Sequence, residues 1–257
     1  MKTVYGPVPS WRLGRSLGVD PISSNQKICS FDCVYCQLGK TIKKRIRKKI
    51  FVNEKQIKKD LLKIFSKKNI YVDIITLSGT GEPTLALNLN QIIKTIKSIT
   101  DIPIAILTNS TLINNQKVKT ALMKTDKVIA KLDAWDEKSL KKINNPHKSI
   151  NFQNLLKDII AFKNQYTGTF CLQIMFMKEI KSNASKIAEI AKKINPDEIQ
   201  INTPLRPCPV SPLSKNELNN IKNKYFKGLT AYTVYEKKRP KVKILNMYAT
   251  KKRRPKI

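Results

Sequence analysis

Five cysteines are present, and three of them fall close together as Cys29-Ser-Phe-Asp-Cys33-Val-Tyr-Cys36, with Cys171 and Cys208 standing alone. An odd count argues against a disulfide framework. The Cys-x3-Cys-x2-Cys spacing lets one short loop wrap three thiolates around a single metal centre. A closed structural zinc site needs four ligands, usually two pairs of Cys or His, but the only histidine, His147, lies more than a hundred residues downstream. A plain electron-transfer cluster normally has four cysteine ligands. Three thiolates on a [4Fe-4S] cube leave one iron without a protein ligand, and an open metal position is where a reactive ligand binds.

The elements that must position this loop follow from periodicity. Asn53 caps a helix with Ile57, Leu61, Leu62, Ile64 and Phe65 as its apolar positions. Strands are predicted at 26–28, 71–77, 102–108, 127–133, 169–177 and 198–202, with amphipathic helices between them. The strands are nearly continuously apolar, as parallel strands buried on both faces should be. Six strand-helix units imply an α/β fold with right-handed crossovers. They fall short of the eight-stranded closed barrel, so a partial (βα)6 TIM-type barrel, open on one side, is expected. Its site should lie where strands feed into helices. Gly81-Glu82, Asn109-Ser110, Lys131, Asp133, Asn202 and Arg206 stand at those ends. Lys131 and Asp133 share a strand face by period two, which makes them either a lumen pair or a structural ion pair.

The cysteine spacing, with Tyr35 just before the last cysteine, resembles the signature of the radical S-adenosylmethionine (radical SAM) superfamily. Gly79-Thr-Gly-Glu-Pro83, at the end of the next strand, resembles that superfamily's Gly-Gly-Glu-type motif. The resemblance implies that Cys29, Cys33 and Cys36 hold a [4Fe-4S] cluster and that S-adenosyl-L-methionine chelates the open iron. It also implies that Gly79, Gly81 and Glu82 receive the amino group of that cofactor. Carbonyls and a carboxylate accept from an ammonium, while glycines allow close approach. Tyr35, Asn109, Ser110, Lys131 and Asp133 are further cofactor candidates. Asn202, Arg206, His147 and Cys208 are candidates for substrate contact. A low-potential electron donor of the flavodoxin or ferredoxin type is implied as a partner. Tyr5-Gly-Pro-Val-Pro-Ser10, Arg12-Leu-Gly-Arg-Ser-Leu-Gly-Val-Asp20, Pro146-His147 and Arg206-Pro207 resemble a group of short radical SAM proteins classed beside the wyosine-forming tRNA enzymes. Trp11 and Cys208 depart from that group's pattern, which often has Arg and Pro there. Those tRNA enzymes carry a second three-cysteine cluster, for which two remaining cysteines are too few.

The 257 residues carry 50 Lys and Arg against 18 Asp and Glu, a net charge of +32. Residues 40–49 hold seven basic residues and no acid, and residues 237–257 hold ten and no acid. One reading is a polyanion partner, RNA or DNA. Another is compositional, since 42 of the 50 are Lys and a genome rich in A and T accumulates Lys codons. A third is an acidic redox partner. No apolar run reaches the roughly 18 residues of a membrane span, and Met1 to Arg15 lacks a secretory stretch. A cytoplasmic protein is expected, with a lead-in at 1–25, a core at 26–213 and a basic appendage at 214–257. Function then divides into a radical SAM enzyme acting on RNA, one acting on a small molecule or protein, and a non-catalytic iron-sulfur or zinc binding protein.

Overall fold

A computed structural model describes residues 2–255. Two strands, β1 (Val4–Ser10) and β2 (Gly14–Val19), form an antiparallel hairpin. From β2 onward every pairing is parallel and in chain order: β3 (Ile74–Leu77), β4 (Ile104–Thr108), β5 (Lys127–Lys131), β6 (Thr169–Met175), β7 (Glu198–Asn202) and β8 (Ala231–Thr233). The helices are α1 (Glu54–Phe65), α2 (Leu89–Lys97), α3 (Gln116–Leu122), α4 (Glu137–Asn144), α5 (Phe152–Lys163), α6 (Ala184–Ile194), α7 (Lys215–Tyr225) and α8 (Met247–Arg253). The sheet is a half-barrel of (βα)6 character, with six helical crossovers between β2 and β8.

The frame of those six units differs from the periodicity reading. The first strand is Gly14–Val19, while Ile28 makes only a single bridge to Gly81. Gly-Arg-Ser-Leu-Gly-Val carries too few apolar residues to announce a strand, yet Leu17 and Val19 are fully buried between β1 and β3. Sheet context overrides local pattern here. Residues 1–25 thus contribute two strands, and residues 214–257 contribute α7, β8 and α8, which packs on β1.

Caps set the helix boundaries. Asn53 Oδ1 accepts from the Lys55 amide at 2.8 Å. Asp136 and Ser139 form a reciprocal capping box on α4, and α4 ends at Asn145 in the left-handed region with φ +39°. Outward strand residues such as Ile75, Leu77, Ile106, Leu172 and Ile201 pack under the helices. The inner face is layered. Ile74, Ala105, Ile129 and Cys171 join Leu13 in an apolar floor, and Thr76, Lys131 and Gln173 stand one step further along their strands around a cavity that Asn202 also lines. Cys171 is thus a core residue, its thiol pushed up to about 12 by burial. No helix among the described residues is long and apolar enough to cross a membrane.

Candidate functional site

The loop from β2 to α1 crosses the end of the half-barrel and is tied down from two sides. Ile28 N–H donates to the Thr80 carbonyl at 3.1 Å, and Glu82 N–H to the Ile28 carbonyl at 2.9 Å. On the other side, Asp32 and Val34 amides donate to the carbonyls of Asn144 and Ile143 at 2.9 and 3.0 Å. The loop therefore satisfies carbonyls that the end of α4 leaves open. Cys29, Cys33 and Cys36 all line one cavity of about 460 Å³, together with Gly79, Gly81 and Glu82.

Two glycines are required by this approach. A Cβ on Gly81 would stand 1.8 Å from the Ile28 carbonyl oxygen, and one on Gly79 would stand 2.0 Å from the Asp20 carboxyl carbon. Both are close-contact positions that only glycine fills. Glu82 is buried, with its Oε1 accepting from Thr84 N–H (3.1 Å), Thr84 Oγ1 (2.7 Å) and Thr108 Oγ1 (2.7 Å), and its Oε2 from Asn109 N–H (2.7 Å). Burial raises its pKa against those donors. One acceptor direction on Oε2 remains for a ligand, since a carboxylate offers about four.

The sulfurs have donors of their own. Cys29 Sγ accepts from Phe31 N–H at 3.5 Å and Asn109 Nδ2 at 3.4 Å, and Cys33 Sγ from Asn144 Nδ2 at 3.3 Å. Burial raises Cys29 strongly and pushes Cys33 up to about 11. Opposing this is Lys27, whose side chain is 4% exposed and paired with Asp32 at 3.6 Å. Burial lowers Lys27, but the facing thiols Cys36, Cys29 and Cys33 together outweigh it and raise the ammonium.

This donor set suits a cluster. Three part-buried, unbridged thiols face one cavity with amide donors and one buried cation to favour their thiolate forms. Among the described residues no three His, Cys, Asp or Glu side chains converge as a single-ion site requires. A cube gives each thiolate its own iron and makes no such demand.

Behind the cysteines lies a second network. Asp133 is fully buried. Its Oδ2 accepts from Tyr35 Oη and from Asn144 Nδ2 (3.1 Å), and its Oδ1 accepts from Met175 N–H (2.7 Å). Lys131 Nζ stands 3.2 Å from Asp133 Oδ1 and 4.6 Å from the Tyr35 ring centroid, without an aligned hydrogen bond. Burial, then Asp133, raises the Tyr35 phenol well above its usual value.

The structure thus separates the residues singled out by sequence. Tyr35, Asn109, Lys131, Asn202 and Arg206 line the cavity with the cysteines. Ser110, Asp133, His147 and Cys208 do not. Ser110 is fully buried with φ +71° and donates to the Lys131 carbonyl at 3.3 Å. β5 ends at Lys131, and Asp133 lies fully buried just behind the cavity wall, 3.2 Å from Lys131 Nζ. His147 bonds Ser149 Oγ at 2.9 Å and supports the cysteine loop through its backbone N–H to the Ser30 carbonyl at 2.8 Å. Cys208 Sγ donates to the Val210 carbonyl at 3.4 Å. The Asn109 amide is engaged by Ser30 Oγ (2.8 Å) and by Thr111. Lys27, Asn144, Asp20 and Arg12 were missed. Lys27 and Asn144 carry no motif, and Arg12 and Asp20 bound a segment whose resemblance assigns neither of them a role.

The cavity is strongly basic. Arg206 donates to Gln37 Oε1, next to Cys36. Burial pushes Arg206 down to about 9 and Arg12 down to about 10, with Arg254 adding repulsion to both.

A family model described as "Radical SAM superfamily" matches residues 25–198. A UPF0026 protein of Methanocaldococcus jannaschii is 40% identical over 211 residues, covering 80% of this chain. The match spans only 65% of that relative's own length. Among solved structures, TYW1 with a lysine-pyruvate adduct bound aligns with TM-score 0.63 at 15% identity, over 84% of this chain and 74% of that one. Streptococcus suis SuiB bound to S-adenosylmethionine aligns with TM-score 0.63 at 15% identity, over 86% of this chain and 50% of that one. Those likenesses show the half-barrel fold. With a family match over most of its length, this chain belongs to the radical SAM superfamily of enzymes, whose chemistry uses S-adenosylmethionine and an iron-sulfur cluster.

Proposed function

We propose that this cytoplasmic enzyme uses a [4Fe-4S] cluster and S-adenosylmethionine, whose reductive cleavage supplies methionine and a 5′-deoxyadenosyl radical, to abstract hydrogen from a substrate in the half-barrel lumen. Cys29, Cys33 and Cys36 are the cluster ligands. The observation that carries this reading is that all three line one cavity with the Gly79–Glu82 turn, and that Ile28 hydrogen-bonds that turn from both sides. The free acceptor direction of Glu82 and the carbonyls beside Gly79 and Gly81 receive the cofactor's ammonium. Lys27 offsets the negative charge of three thiolates. The Tyr35–Asp133–Asn144 network fixes the loop and aims Asn144 Nδ2 at Cys33. The electron comes from a low-potential donor of the flavodoxin or ferredoxin type.

Anaerobic reconstitution with iron and sulfide, followed by dithionite and S-adenosylmethionine, should yield 5′-deoxyadenosine and methionine. Cys33→Ala should abolish both. A protein that takes up the cluster yet forms no deoxyadenosine would overturn the reading. A second reading makes the substrate an RNA. It is favoured by the exposure of Lys40, Lys43, Arg45, Arg47 and Lys49 on the cysteine loop. It requires copurifying RNA and binding that falls steeply with salt. Salt-independent behaviour would leave those residues as a solvated face or a dock for the donor.

A further inference from the structure

The chain has 42 lysines and only eight arginines, yet five of the eight, Arg12, Arg206, Arg239, Arg253 and Arg254, line the cavity that holds the cysteines. Only two lysines, Lys27 and Lys131, do so. Arg253 is accounted for by its ion pair with Asp20 at 2.8 Å. Arg12, Arg206, Arg239 and Arg254 make no ion pair with an acid among the described residues.

Arg12 is the telling residue. It lies in the turn between β1 and β2, at the strand ends opposite the Gly79–Glu82 turn. Its guanidinium therefore enters the cavity from the floor side, while Arg206 and Arg254 belong to the loop after β7 and the end of α8. Arg12 Nη1 is withdrawn from solvent and makes no hydrogen bond. Arg12 is half-buried, with its guanidinium 6.0 Å over the Trp11 ring and no acid in ion-pair reach; a cation partly withdrawn from water without a counter-charge is costly, and here three others share its cavity. Guanidinium is the side chain suited to bidentate recognition of phosphate or carboxylate. The Gly79–Glu82 turn, by contrast, offers acceptors, suited to an ammonium.

We propose that Arg12, with Arg206 and Arg254, forms a binding site for a compact oxyanion, phosphate or carboxylate, carried by the substrate. The proposal rests on the radical SAM reading for what happens to that substrate. Arg12 reaches the cavity from the floor side and Arg206 from the cysteine side, where it bonds Gln37, so a charged group held between them stays in the lumen with the cysteines.

The test uses full-length, cluster-loaded protein and follows its thermal midpoint during titration with inorganic phosphate, pyrophosphate or citrate, with chloride holding ionic strength constant. At least one anion should raise the midpoint by several degrees, because a ligand that binds only the folded state stabilises it. Arg12→Met should weaken that anion's binding at least tenfold, and its ligand-free midpoint should equal or exceed wild type, since an unpaired buried charge is removed. A merely structural Arg12 would instead give a lowered midpoint and unchanged anion binding. Arg206→Met is the second variant, expected to weaken the same anion.

The proposal is overturned if no anion shifts the midpoint, or if wild type and both variants shift equally. It is also overturned if saturating S-adenosylhomocysteine abolishes the shift, which would assign the arginines to the cofactor's own carboxylate. A short oligoribonucleotide that displaces phosphate would identify the anion as a polymer's, and one that binds without displacing it would leave the anion to a small substrate. Both keep the site in the lumen. Wild-type deoxyadenosine formation is measured separately, so its failure would sink the radical reading without touching the anion titration.

Discussion

The terminal segments meet at one buried ion pair, and its two halves should not be equally dispensable. Asp20 and Arg253 side chains are both 0% exposed, with Arg253 Nε donating to Asp20 Oδ2 at 2.8 Å. Asp20 also accepts from Ile22 N–H, Thr80 N–H and Thr80 Oγ1, each at 3.0 Å. Arg253 also donates to the Ala249 and Lys2 carbonyls at 3.0 Å and to Ser23 Oγ at 2.7 Å. Breaking a buried pair costs about 3–5 kcal/mol. Arg253→Met leaves the carboxylate three donors, which places its cost near the lower end, about 3 kcal/mol. Asp20→Ala leaves a guanidinium without its counter-ion, though still bonded to three oxygens, and three unpaired donors at about 1–3 kcal/mol each where water cannot reach, so about 5 kcal/mol or more is expected. For a chain of this size, one kcal/mol moves the midpoint by about 2–4 °C. The losses should then be roughly 6–12 °C for Arg253→Met and at least 10 °C for Asp20→Ala. Urea unfolding followed by the fluorescence of Trp11 and Trp135 gives the free energies, and the double variant should cost less than the sum. If Asp20→Ala costs under about 1 kcal/mol, or Arg253→Met costs as much as Asp20→Ala, the assignment of Asp20 as the hub is refuted.

Three other outcomes are expected. Gly81→Ala forces a methyl to within 1.8 Å of the Ile28 carbonyl, so it should cost at least the ~1–3 kcal/mol of overpacking and lower the iron retained per chain, read by metal analysis and thermal melts. Tyr35→Phe leaves Asp133 Oδ2 with Asn144 as its one remaining donor, which should cost about 1–3 kcal/mol in urea. Glu217, in the capping box of α7 and paired with Lys181, is held down to about 2, first by the Ser214 amide. A depressed carboxyl contributes stability above its unfolded value of about 4.3 and loses it as pH falls toward 2. Glu217→Gln should therefore lower the midpoint near neutrality and flatten its decline between pH 5 and pH 2, so that variant and wild type converge at the acid end.

Much of the architecture could be read from pattern because parallel strands between helices are long, apolar and periodic. Glu198–Asn202 was delimited to the residue, and Asn53 was identified as a cap. Gly14–Val19 was missed because a strand supported by neighbours on both sides needs little propensity of its own. The cysteine triplet and the glycine turn were visible because their chemistry depends on local spacing. Asn144, Lys27 and Asp20 were not, because each acts through a partner distant in sequence: Asn144 reaches Cys33 across 111 positions and Arg253 reaches Asp20 across 233. The period-two argument paired Lys131 with Asp133 correctly but assumed that the strand continued, whereas β5 ends at Lys131.

The charge of +32 has more than one physical origin. A drift toward lysine would act on every tolerant position, and exposed positions would tolerate it because a solvated ammonium there costs little. The same drift would convert arginine to lysine wherever the two are interchangeable. They are not interchangeable where a planar fork must meet an oxyanion away from water. Arginine persists at five lumen positions in a chain with only eight. Solvation alone can carry the outer lysines, with or without a partner, whereas the inner arginines require a reason tied to geometry. Arg253 has one in Asp20. Arg12 has the Trp11 ring but no acid, and its Nη1 has no hydrogen-bond partner, among the described residues, which turns the question from what binds the surface to what enters the cavity.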